Sequence, residues 1–187
     1  MIKKLKFWIT CKRIGQDIPL TYPLLHSKIL NKYLCKKKFK KFGKGSEFRI
    51  GAYAIETDKI SIGNYVTIRP GTMLFASPDN SKEEIHIIIE DHVLIGSGVH
   101  IYVSNHNFSI TDTPIYFQGH GEVEQVKLRE GCWIGANCII LPGVTVGKNS
   151  VVGAGSVVTK SIPDFSVAVG SPAKVIKVID DLSNWHN

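Results

Sequence analysis

The sequence predicts an all-β solenoid, and three observations carry that expectation. From Leu128 to Val158 an aliphatic residue returns every six positions, through the hexads LREGCW, IGANCI, ILPGVT, VGKNSV and VVGAGS. The same phase occurs upstream, first at Ile62, Ile68 and Leu74 and again at Ile89, Ile95 and Ile101. A period of six fits neither the 3.6 of a helix nor the alternation of one long strand, so it marks a repeating coil. The interval from Ile101 to Leu128 is 27 residues, which six does not divide, so an insertion interrupts the coil. With 187 residues and 43% hydrophobic content, one continuous core accounts for the chain without a second domain.

Residues 1–49 read as a separate basic segment, helical in part, that caps the open end of the coil. They hold 14 Lys and Arg against Asp17 and Glu47, while the remaining residues hold 9 basic and 14 acidic groups, so the net charge of +7 belongs to this segment. Ile2, Leu5, Trp8 and Ile9 can share one helical face, and Ile29, Leu30, Tyr33 and Leu34 another. Lysines 36, 37, 38, 40 and 41 also suit peripheral attachment to an anionic membrane. No nucleic-acid motif accompanies them, no run of 18 apolar residues predicts a spanning helix, and no signal-peptide cleavage pattern follows the first residues.

Residues 50–178 form the repeat domain. The fifth position of each late hexad is small or medium (Cys132, Cys138, Val144, Ser150, Ser156), as a narrow corner requires, and Gly135, Gly147 and Gly153 fall where a turn needs positive φ or close backbone approach. Cysteines 11, 35, 132 and 138 contain no CxxC pair, so neither a disulfide nor a metal role is expected, and a reducing cytoplasm, with the inner membrane face as the place of any attachment, suits them. Residues 179–187 read as a tail.

The stretch CWIGANCIILPGVTVGKNSVVGAGSVVTKSIPDFSVAVGSPAKVIK, 132–177, resembles the hexapeptide-repeat acyltransferases, most closely the bacterial sugar and polysaccharide O-acetyltransferases, and the resemblance extends over about residues 50–178. It implies a left-handed parallel β-helix with three short strands per coil; physics alone favours right-handed crossovers. It also implies acetyl-CoA as co-substrate with no metal, a carbohydrate acceptor, and a homotrimer with the active site between subunits.

The insertion, 104–127, is where such a fold carries chemistry. His106 opens it, and in the family a histidine at this place is the catalytic base, with Asn105 resembling the family's Asp/Asn–His context. Its ring could be oriented by Asn105, Asp112, Glu122 or Glu124. His86, His92, His100, His26 and His186 lack such a context and read as surface or packed rings. His120, in QGHG, resembles part of a PIxxQG segment of polysaccharide acetyltransferases and is expected to contact substrate or a neighbouring subunit and not to transfer the proton, while Phe108, Tyr116 and Phe117 can stack on a sugar face. The resemblance assigns cofactor binding to Trp133, Ala136, Ala154, Ser156, Thr159, Lys160, Lys174 and Lys177, the two final lysines meeting the phosphates; Trp133 as a core filler is the competing reading. Pro172 is expected to turn the chain out of the coil.

The implied activity is direct acetyl transfer to a sugar hydroxyl of a surface glycan or its precursor. The competing readings are a serine O-acetyltransferase, an amino-sugar N-acyltransferase, a γ-class carbonic anhydrase and a non-catalytic scaffold. For the anhydrase, His100 and His106 have five residues between them where that family's close pair has four, and its motifs are absent.

Overall fold

A computed structural model describes residues 2–19, 21–78 and 84–179. The chain begins with α1 (Ile2–Thr10), β1 (Arg13–Ile14), α2 (Tyr22–Leu25) and α3 (Lys28–Lys38). It then passes repeatedly through three sheets. One turn comprises β2 (Lys41–Phe42), β3 (Glu47–Phe48) and β4 (Tyr53–Ile55), and the next β5 (Ile60–Ile62), β6 (Thr67–Ile68) and β7 (Met73–Phe75). The third turn is β8 (Ile87–Ile89), β9 (Leu94–Ile95) and β10 (His100–Tyr102). After the insertion come β11 (Val126–Leu128), β12 (Trp133–Ile134) and β13 (Ile139–Ile140), then β14 (Thr145–Val146), β15 (Val151–Val152) and β16 (Val157–Val158). From β2 to β13 each strand pairs in parallel with the strand three later, which makes a three-sided coil.

The six-residue period has a direct physical basis. A two- or three-residue strand plus a tight corner consumes about six residues, so the residue that points inward on one sheet has its equivalent on the next sheet six positions on. Pairing then stacks these residues turn upon turn: Leu74, Ile101, Ile140 and Val158 on one sheet, Ile62, Ile89, Leu128 and Val146 on the second, Ile68, Ile95, Ile134 and Val152 on the third. All of them are buried and belong to one core. The fifth-position residues Cys132, Cys138, Val144, Ser150 and Ser156 are likewise buried, at the corners. Burial pushes the Cys132 and Cys35 thiols up to about 12.

Close approach, not positive φ, explains Gly135 and Gly147. A Cβ at Gly135 would lie 2.5 Å from the Ala154 nitrogen, and one at Gly147 2.4 Å from that of Asp164, because successive corners stack backbone on backbone. The left-handed corner positions fall instead to Gly131, Gly143, Gly155, Asn137 and Asn149.

The coil begins at Lys41, earlier than the predicted boundary at residue 50. Ser27 caps α3 by accepting a 3.4 Å bond from the Leu30 nitrogen. Leu34, Cys35 and Phe39 then join Phe42 and Phe48 of the first turn in the core, with Phe39 5.4 Å from Phe48 between ring centroids. β1 adds antiparallel to β4. The predicted shared face of Ile29, Leu30, Tyr33 and Leu34 does not form: Leu34 packs inward, whereas Ile29, Leu30 and Tyr33 are exposed. The side chains of Ile2, Leu5, Trp8 and Ile9, together with His186, lie outside the described residues.

At the other end, β17 (Ser166–Gly170) continues the third sheet in parallel and β18 (Ala173–Val178) turns back antiparallel against it. Pro172 therefore sits in a hairpin turn, and the chain stays on the coil instead of leaving it. Among the described residues no helix is long and apolar enough to cross a membrane.

Candidate active site

The alternation of β10 sets the floor of the site. Ile101 points inward, so His100 and Tyr102 point outward. Tyr102 stacks on Phe75 of the neighbouring strand at 5.1 Å between centroids, and its hydroxyl is 3.1 Å from His100 Nδ1. After Val103 the chain departs from the coil and returns beside the point of departure, because the Glu124 nitrogen donates to the Val103 carbonyl at 2.8 Å.

Inside the insertion the two arms form a short antiparallel ladder. The Gly121 nitrogen donates to Asn105 O at 2.8 Å and the Asn107 nitrogen to Gly119 O at 3.0 Å, which leaves His106 and His120 directly opposed. Opposed residues between such bonds bring their side chains close on one face. The two imidazoles accordingly lie 4.3 Å apart between ring centroids, tilted by 36°. The Asn107 amide braces the ladder by donating to Gln118 O and His120 O, each at 3.0 Å. Gln118 holds the tip: its amide nitrogen donates to Ile110 O at 2.8 Å and Thr113 O at 2.6 Å, and its oxygen accepts from the Ile110 nitrogen at 3.0 Å.

Both histidines open onto a cleft of about 600 Å³ whose walls include Asn105, Ser77, Tyr102 and Leu141. Within the chain no side chain among the described residues hydrogen-bonds the His106 ring. Asn105 contributes its carbonyl to the ladder, and the carboxylates of Asp112, Glu122 and Glu124 do not reach His106. Tyr102 and Leu141 were not singled out from sequence, although Tyr102 was legible as the outward neighbour of Ile101. Ser77 had no signal.

Phe108, Tyr116 and Phe117 depart from expectation. They are exposed at the tip of the insertion, Tyr116 by 85%, and do not line the cleft of His106. The arms of the ladder point their tip away from its base, so sequence proximity to His106 does not become spatial proximity.

The residues assigned to the cofactor divide between two sheets. Trp133 faces outward from β12, 53% exposed, so it is not a core filler. Ala136 and Ala154 follow at the next corner, and Lys174 and Lys177 are exposed on β18. Thr159 and Lys160 are exposed just past β16. Register aligns Ile101, Ile140 and Val158, so their successors Tyr102, Leu141 and Thr159 form a row along one edge of the first sheet, leading away from the cleft. Ser156 is different. It is buried, its hydroxyl donating to Gly153 O at 2.6 Å and accepting from the Gly170 nitrogen at 3.0 Å, so that side chain braces a corner.

The remaining histidines pack locally. His86 is buried and accepts from the Ser77 nitrogen at 3.2 Å, His92 stacks on Tyr65, and His26 meets the edge of Tyr22. Among the described residues no three or more of His, Cys, Asp and Glu gather as a metal site.

Residues 125–160 match the family model described as bacterial transferase hexapeptide (six repeats). The galactoside O-acetyltransferase of Lactococcus lactis subsp. lactis is 35% identical over 149 residues, covering 79% of this chain and 67% of that protein. The chain belongs to the hexapeptide-repeat acyltransferase family. Among solved structures, a hexapeptide-repeat acetyltransferase from Vibrio cholerae O1 biovar eltor, complexed with acetyl coenzyme A, superposes with a TM-score of 0.70 at 26% identity, covering 84% of this chain and 82% of that one. A maltose O-acetyltransferase from Clostridium difficile 630 gives a TM-score of 0.73 at 26% identity over 96% and 88%. As a member of this family the chain is an acetyltransferase.

Proposed function

We propose that the protein transfers the acetyl group of acetyl-CoA to a sugar hydroxyl, with His106 as general base. The observation that carries the reading is the imidazole of His106, held by a bonded ladder at the mouth of an open cleft from which the row Tyr102, Leu141 and Thr159 runs across successive turns. An extended pantetheine arm fits such a row, and the relatives are named for sugar O-acetyl transfer or bind acetyl coenzyme A.

A sugar hydroxyl is a poor nucleophile until its proton leaves. As its oxygen bonds to the thioester carbonyl carbon, His106 takes the proton; when the tetrahedral intermediate collapses, the C–S bond breaks and the imidazolium returns the proton to the departing thiolate. Positioned proton transfer of this kind contributes about 10²–10⁴-fold, and proximity supplies much of the rest. No acyl-enzyme is required. His120, 4.3 Å away in the same cleft, positions the acceptor.

In this reading the coil winds left-handed and three copies associate, so that Trp133, Lys174 and Lys177 of one copy hold the cofactor for the cleft of another. That arrangement reconciles the separation of the two residue sets within one chain. Phe108, Tyr116 and Phe117 then contribute to the acceptor site from the tip, and the acceptor is a surface glycan or its precursor made in the cytoplasm. The test is CoA release from acetyl-CoA with a panel of sugars and of amino sugars. Acetylation confined to amines, or thioester loss no faster than without acceptor, overturns it.

A further inference from the structure

The outward face of α3 carries apolar groups that the coil does not cover. A helix turns by roughly 100° per residue, so Ile29, Tyr33 and Lys36 fall on one line, with Lys32 and Lys37 beside it and Leu34 and Cys35 on the far side. Burial agrees: Leu34 and Cys35 are in the core, while Ile29 is 81% and Tyr33 65% exposed. Leu30 is exposed as well.

Charge on this face is unneutralised. Among the described residues Lys28, Lys32, Lys36 and Lys37 have no carboxylate within ion-pair distance, whereas Lys12 meets Asp58 at 2.8 Å and Lys40 meets Glu84. Tyr33 and Lys37 share a cavity of about 540 Å³ with Thr10 and Cys11, which places the end of α1 beside α3, and α1 exposes Lys3, Lys4, Lys6 and Phe7.

We propose that this face of α3, extended by α1, docks on an anionic phospholipid bilayer. A tyrosine and an isoleucine ringed by lysines suit the boundary between headgroups and acyl chains, where the phenol stays at headgroup level and lysine stems lie along apolar surface with their ammonium groups outward. Other occupants fit less well. The buried centre of a protein interface is depleted in lysine, and a second copy would set the same lysines against one another. The inference does not depend on the proposed reaction.

The test is sedimentation of the full chain with phosphatidylcholine vesicles and with vesicles containing phosphatidylglycerol. Binding is expected only to the anionic vesicles and weakens as salt is added. Replacing Lys32→Glu and Lys36→Glu together lowers the partition coefficient by at least about 10-fold. Replacing Ile29→Ser and Tyr33→Ser together also lowers it, with an unchanged thermal midpoint in both double variants because none of these side chains is buried. Equal binding to both vesicle types, binding to neither, or retention of wild-type binding by both double variants overturns the proposal. So does a fall in sedimenting mass of the Ile29→Ser/Tyr33→Ser protein without lipid, which would make the face a contact between copies.

Discussion

His106 and His120 oppose each other across a two-bond antiparallel ladder, their ring centroids 4.3 Å apart, although 13 residues of insertion separate them in sequence. The ladder brings the two imidazoles together but leaves them in different surroundings. His106 adjoins the row that leads along the coil, and His120 lies on the returning arm.

Replacing His106→Ala is expected to lower the acetyl-transfer rate by at least about 10²-fold with little change in thermal midpoint, because the ring is exposed and proton removal is lost. His120→Ala should instead raise KM for the acceptor more than it lowers kcat. Steady-state kinetics on both variants check this, and near-normal turnover of His106→Ala would move the base to His120.

Lys174→Ala together with Lys177→Ala should raise KM for acetyl-CoA far more than it lowers kcat. Phosphates distant from the thioester are bound alike in ground and transition states. Both lysines are exposed, so the effect shrinks at high salt. An unmoved KM for acetyl-CoA would place the phosphate site elsewhere.

Gln118→Ala removes three hydrogen bonds that hold the tip of the insertion to Ile110 and Thr113. Proteolysis and amide exchange of residues 108–118 should speed up, while the free energy of unfolding stays within about 0.5 kcal/mol of the parent because no core contact is lost. A large drop in global stability would show that the tip is part of the core.

Ile134→Ala and Leu94→Ala separate the two sides of one sheet. Ile134 is wholly buried between Ile95 and Val152, so its truncation should cost about 2–5 kcal/mol, whereas half-exposed Leu94 should cost well under 1 kcal/mol. Urea unfolding of the two variants measures the difference, and equal costs would contradict the inward register.

Alkaline pH should destabilise the fold through its buried thiols. In the folded chain burial raises Cys35 and Cys132 from 9.0 to about 12, so the folded state holds those protons longer than the unfolded state does. The stabilisation is complete below the unfolded value and is lost as pH rises through the interval up to about 12. Unfolding midpoints measured across that interval should fall, and Cys132→Ala should flatten the slope; an unchanged slope would refute the linkage.

The six-residue phase by itself determined the stacked interior of the coil. Every residue in the series Ile62 to Leu74, Ile89 to Ile101 and Leu128 to Val158 points inward, because strand alternation and stacked corners leave that position no other environment. The break between Ile101 and Leu128 likewise located the insertion, and with it His106. What needed the tertiary structure were contacts between segments whose spacing follows no period. The pairing of His106 with His120 rests on ladder bonds from Asn107 and Gly121, and the displacement of Phe108, Tyr116 and Phe117 from the cleft follows from that same ladder. The orientation of α3 is of this kind too. Its apolar residues occur on two sides of the helix, and only the position of Phe39, Phe42 and Phe48 decided that Leu34 and Cys35 face the core while Ile29 and Tyr33 face outward. A local period dictates which residues repeat an environment; which of two apolar stripes is covered depends on what the rest of the chain brings against it.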